Sequence, residues 1–164
     1  MKKRIIALGL LWCLSAVMLQ AARVDTVLVR SAAMNKDVKV VYVLPDKAIG
    51  KQACPVVYLL HGYGGNARSW VQLKPELPQM ADEKGIIFVC PDGKNSWYWD
   101  SPENPAYRYE TFVTSELVKY TDGNYATIPD SKARAISGLS MGGHGALWSA
   151  IRHKDVFGAA GSMS

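Results

Sequence analysis

The sequence predicts an α/β domain built on a mainly parallel sheet with helices on both faces. Three runs, "PVVYLLHG", "GIIFVCPDG" and "RAISGLS", are apolar without alternation, as expected of strands covered on both sides. Each is followed by a stretch with helical spacing, and strand–helix alternation of this kind builds a parallel sheet. A chain of 164 residues, 49% apolar and 20% charged, has the composition of one soluble domain with a real core, which argues against disorder.

The elements follow in order. "MKKRIIALGLLWCLSAVMLQAA" has a basic start, an apolar run over residues 5–19 and small residues at Ala21 and Ala22, the three parts of a secretory signal peptide. The expectation is therefore a leader over residues 1–21, a domain over 22–164, and a secreted or periplasmic protein with no stable membrane insertion after cleavage. The apolar run falls short of the roughly 20 residues a spanning helix needs. Cys13 follows the bulky Trp12, which argues against a lipoprotein. Without Lys2, Lys3 and Arg4, the 19 basic and 14 acidic side chains leave a balance of +2, too small and scattered for nucleic acid.

Residues 24–30 and 38–44 alternate apolar and polar side chains around "AMNKD", which predicts an antiparallel hairpin. The first buried strand is followed by a Gly-rich loop and a helix over 72–83. The second is followed by the loop "KNSWYWDSPENPAY" and a helix over 107–120 with Phe112, Leu117 and Val118 on one face. The third is followed by the helical "GGHGALWSAIRH", and "FGAAGSMS" starts a fourth. In parallel strands, Cys54 before the first and Cys90 at the end of the second lie about 17 Å apart, beyond disulfide reach. Two free, buried thiols are expected.

Gly138-Leu139-Ser140-Met141-Gly142 has the form G-x-S-x-G between a strand and a helix. That context makes the pattern a nucleophile elbow, a strained turn that lifts the serine hydroxyl above the sheet. Strand and helix backbones approach closely there, so Gly138 and Gly142 must lack side chains, and Gly143, Gly145 and Ala146 let the helix pack tightly. Ester chemistry at Ser140 needs two backbone N–H groups facing the developing oxyanion. Met141 supplies one candidate; Tyr63, in the Gly-rich "HGYGGN", supplies the other. No Lys-Ser or Lys-Thr pair follows those glycines, which argues against a phosphate-binding loop.

On "YLLHGYGGN", "PDGKNSWYWDSP", "YRYETFVTSEL" and "SGLSMGGHGAL", which together cover most of residues 37–164, the chain resembles an esterase family of α/β-hydrolases. That family includes esterase D (S-formylglutathione hydrolase), feruloyl and acetyl xylan esterases, and mycolyltransferases. The resemblance implies an α/β-hydrolase fold, Ser140 as nucleophile, the Tyr63 and Met141 amides as oxyanion hole, and no metal or organic cofactor. It implies a small-molecule or carbohydrate ester as substrate, with acyl transfer as the alternative within the family; the leader-like start favours an extracellular ester such as an acylated polysaccharide, and an inactive truncated chain is the alternative from another class.

The triad partners of this fold follow the serine in the order acid, then histidine. After Ser140 only Asp155, His144 and His153 are available. His144 lies in the first turn of the helix beneath Ser140, and its family counterpart is a packing residue. His153 is about 20 Å away along the same helix and is expected to solvate the helix end with Arg152 and Lys154. His61 is expected to be structural. The acid and base are thus expected beyond residue 164, with the fold truncated after the strand following the nucleophile helix. Two readings of Trp97, Tyr98 and Trp99 stand open, a substrate pocket or packing under their loop. Glu110 and Glu116 are expected to cap or pair along their own helix.

Overall fold

The computed structural model describes residues 22–164, so the leader expected over 1–21 lies outside the described residues. Six strands form one sheet: β1 (Arg23–Ser31), β2 (Lys36–Leu44), β3 (Val56–Leu60), β4 (Ile87–Pro91), β5 (Arg134–Leu139) and β6 (Ala159–Met163), in the order β1-β2-β4-β3-β5-β6. The hairpin β1–β2 is antiparallel, as its alternation predicts, and β2 joins β4 antiparallel. The β4–β3, β3–β5 and β5–β6 pairs are parallel. From β3 the chain steps to one side, then returns past β3 to place β5 on the other. The carboxyl ends of β3 and β5 therefore flank the topological switch point, where open α/β sheets bind ligands.

Alternate residues of the strands enter different cores. Tyr42, Tyr58, Val89 and Ile136 pack on one face with Phe112, Leu117 and Met141. Val41, Val43, Leu59, Phe88 and Cys90 pack on the other with Trp70 and Leu77. A four-residue α1 (Asp46–Ile49) follows the hairpin. The helix expected over 72–83 is two helices, α2 (Ser69–Leu73) and α3 (Leu77–Lys84). Pro75 disfavours the helical conformation at Lys74 and lacks its own N–H, so the first helix stops there. Pro78 is tolerated because it sits in the first turn of the second.

The helix expected over 107–120 begins later and runs on. Its parts are α4 (Tyr109–Thr111), a π-helical turn at Phe112–Glu116 and α5 (Leu117–Asn124). Inside the widened stretch, Thr114 Oγ1 donates to the Glu110 carbonyl at 2.8 Å, a back-bond that disturbs a regular ladder. Neither acid pairs along its own helix. The Glu116 carboxylate accepts Ser31 Oγ–H at 2.6 Å and the Ala33 N–H at 2.8 Å, fastening the hairpin. After a 3₁₀ turn at Ser131–Ala133 and β5 comes α6 (Met141–Arg152). Cys54 and Cys90 are buried and free, and they belong to the cores on opposite faces of the sheet.

Candidate active site

Ser140 joins β5 to α6 with φ 53° and ψ −116°, a conformation that L-residues avoid. Its N–H donates to the Met163 carbonyl at 2.7 Å and its carbonyl accepts the His144 N–H at 3.0 Å, so both neighbours hold the turn in place. The residue is exposed. The elbow glycines have a steric reason: a Cβ on Gly138 would lie 2.2 Å from the Gly142 carbonyl carbon, and one on Gly142 would lie 2.2 Å from the Leu60 carbonyl oxygen. Gly143 faces β6, where its Cβ would meet Ser162 Oγ at 2.4 Å, whereas Gly145 makes room for Tyr98 rather than for a strand.

The loop after β3 lies against this turn. A Cβ on Gly62 would stand 3.3 Å from the Leu139 carbonyl oxygen and 3.7 Å from Ser140 Cβ. The Tyr63 ring is exposed (67%), and among the described residues no acceptor takes the Tyr63 or the Met141 backbone N–H. The Met141 amide is the first of a 12-residue helix, whose positive end favours negative charge at that point. The loop carrying the Tyr63 N–H and the helix start carrying the Met141 N–H therefore both lie against Ser140. Beside it runs a groove of about 450 Å³, lined by Tyr63, Ser69, Gln72, Leu73 and Leu139 without a charged side chain. Leu73 carries no signal in the sequence, being one more apolar helical residue.

His61, expected to be structural, is fully enclosed. The Gly93 N–H donates to Nε2 at 2.9 Å, which leaves the proton on Nδ1, and Nδ1–H donates to the Gly62 carbonyl at 2.7 Å. Asp92 Oδ1 stands 3.7 Å from the already occupied Nε2. Burial works against charge on Asp92, but hydrogen-bonding partners around it, with the Lys94 ammonium at 2.8 Å and its N–H at 3.0 Å, hold that carboxyl far below the usual range. Gly64 N–H donates to Asn95 Oδ1 at 2.8 Å, tying the loops after β3 and β4 together.

The three aromatics part company. Tyr98 does not line a pocket: it is fully buried, its hydroxyl accepts the His61 N–H at 3.0 Å, and its ring lies over Gly93 and Gly145. Trp97 is half-exposed and meets the His144 ring edge-on, with centroids 5.5 Å apart. Trp99 lines a different cavity of about 590 Å³ with Trp148, Arg152 and His153. The His144 ring is held between Trp97 and Trp148, and Nδ1 stands 3.2 Å from the Trp97 carbonyl. His153 does not simply solvate the helix end. Glu110, which is buried, binds its Nε2 at 2.8 Å together with Arg152 Nε and Trp148 Nε1, each at 2.7 Å. Among the described residues Ser140 Oγ has no hydrogen-bond partner, and no group of side chains has the make-up of a metal site.

The sequence model of the family described as "Putative esterase" matches residues 31–164. The chain belongs to that esterase family. Its sheet and helices have the α/β-hydrolase architecture of the family's solved esterases. An acetyl esterase of Caldicellulosiruptor saccharolyticus is 29% identical over 136 residues, covering 77% of this chain and 50% of the relative. A diacylglycerol acyltransferase/mycolyltransferase of Mycobacterium gordonae is 34% identical over 151 residues, 86% of this chain and 42% of that protein. The solved S-formylglutathione hydrolase of Agrobacterium tumefaciens superposes with a TM-score of 0.77 at 26% identity, over 88% of this chain and 60% of that one. The chain thus spans about half the length of the curated relatives it matches.

Proposed function

We propose that this chain carries the nucleophile and oxyanion hole of a serine carboxylic-ester hydrolase that works through an acyl-enzyme. The observation that carries the reading is Ser140, exposed at positive φ beside two N–H groups without acceptors. Ser140 Oγ attacks the ester carbonyl carbon while the carbonyl π electrons move onto oxygen, and the Tyr63 and Met141 N–H groups donate hydrogen bonds to the oxyanion so formed. Collapse expels the alcohol and leaves acyl-Ser140, and water then releases the acid. A base must take the Ser140 proton and deliver it to the alcohol. All three histidines are engaged with other groups, so that base and its acid are proposed to lie outside residues 1–164.

The uncharged groove beside Ser140 supports a neutral ester. The leader-like start supports a secreted or periplasmic setting, and with it an acylated carbohydrate as substrate. Acyl transfer to an alcohol is the second reading, favoured by the 34% identity to the mycobacterial acyltransferase. In full-length protein, turnover of a short-chain chromogenic ester is expected to fall at least about 10³-fold on Ser140→Ala while the fold is kept. Undiminished turnover would remove Ser140 from the chemistry. Product analysis with added alcohols separates hydrolysis from transfer.

A further inference from the structure

We infer that His61 is a positioning residue for the oxyanion hole, acting through the Gly62–Tyr63 peptide; this rests on the reading of the Tyr63 N–H given above. No peptide bond among the described residues is cis. In a trans peptide the carbonyl and the N–H point in opposite directions. Fixing the Gly62 carbonyl therefore fixes the Tyr63 N–H. That carbonyl is held by His61 Nδ1–H at 2.7 Å and by the Gly65 N–H at 3.0 Å. The Tyr63 N–H is consequently turned away from the imidazole, toward the open side of the loop that packs on Ser140.

His61 can do this only as the Nδ1–H tautomer, and a second loop sets that tautomer. Gly93 N–H donates to Nε2, so that nitrogen has no proton. Gly93 is itself anchored: its carbonyl accepts Ser96 Oγ–H at 2.6 Å, and the neighbouring Asp92 N–H donates to the Lys39 carbonyl on β2 at 2.9 Å. The ring is held in a closed space: His61 is buried, Gly65 lies against Nδ1 so closely that the position has no room for a side chain, and the Tyr98 ring packs on it with centroids 5.7 Å apart. A hydrogen-bonded relay thus runs from the loop after β4, through the imidazole, to the amide that faces the substrate.

Two substitutions separate orientation from packing. Asparagine at 61 can place an amide N–H where Nδ1–H stands but cannot reach Gly93; glutamine can reach Gly93 but has no donor at the Nδ1 position. In full-length protein, His61→Asn is expected to keep kcat within about threefold. His61→Gln is expected to lower kcat about 10- to 100-fold with KM within about twofold. That loss is smaller than the 10²–10³ for deleting a donor outright, because the Gly65 N–H remains. Binding of a boronic acid, which places an oxygen in the oxyanion hole, should weaken in His61→Gln by the same factor as kcat. Equal kcat losses in the two variants, a loss carried by KM, or losses that follow the melting temperatures would overturn the inference while Ser140→Ala stays inactive. Full turnover by Ser140→Ala in the same assay would instead overturn the serine reading and this inference with it.

Discussion

Replacing Gly142 by alanine puts one methyl group where two backbones meet. The new Cβ would lie 2.2 Å from the Leu60 carbonyl oxygen, 2.6 Å from its carbon and 2.7 Å from the His61 carbonyl oxygen. Carbon–oxygen contacts settle near 3.3 Å or beyond, so the pieces must separate by about 1 Å. Leu60 cannot retreat, because β3 is buried between β4 and β5 and pairs Leu60 with Gly138. The start of α6 must lift instead, and with it the Met141 amide. Overpacking costs about 1–3 kcal/mol, and a backbone obstacle places this case near the top, about 3 kcal/mol, or about 6–12 °C in Tm. Gly123→Ala is the control: nothing lies within 4 Å of its Cβ, and it sits in α5. It should stabilise by about 0.5 kcal/mol through helix propensity. Urea unfolding followed by tryptophan fluorescence reads both. A Gly142→Ala midpoint equal to that of the parent protein would refute the reasoning about the elbow.

Burial opposes charge on Glu110, yet Arg152, Trp148 and His153 outweigh it and hold its pKa below that of a free glutamate. A lowered folded-state value means the clamp stabilises above about pH 4.3 and fades as pH falls through the folded value. Glu110→Gln should therefore cost about 2 kcal/mol at pH 7 and much less near pH 3; a pH-independent difference in urea midpoints would contradict this. Cys90, its thiol pushed up to about 12 by burial, and Cys54, raised in the same way, should both be alkylated in denatured, unreduced protein. A linked Cys54–Cys90 peptide found by mass spectrometry would contradict the placement of β3 and β4.

What the sequence made legible is what short-range chemistry encodes. The apolar runs, the alternating hairpin and the elbow are local patterns, and each stands where the pattern put it. The division of residues 72–83 was also written locally, in Pro75 and Pro78, although apolar periodicity alone passes over it. The contacts of Glu110 were not legible, because its partners lie 38, 42 and 43 residues away and meet it only when α4 and α6 pack together. Tyr98 was open for the same reason: its burial depends on Gly93 and Gly145, from two other parts of the chain. The functional tautomer of His61 likewise depends on an amide 32 residues away.

The central claim is that Ser140 is a nucleophile presented to an oxyanion hole. Treating full-length protein with a small organophosphonate bearing a good leaving group, then digesting it and reading the peptides by mass spectrometry, tests this most directly. The account predicts one adduct, on Ser140, that is absent from Ser140→Ala. An adduct on another residue, or none in protein that hydrolyses esters, would contradict it.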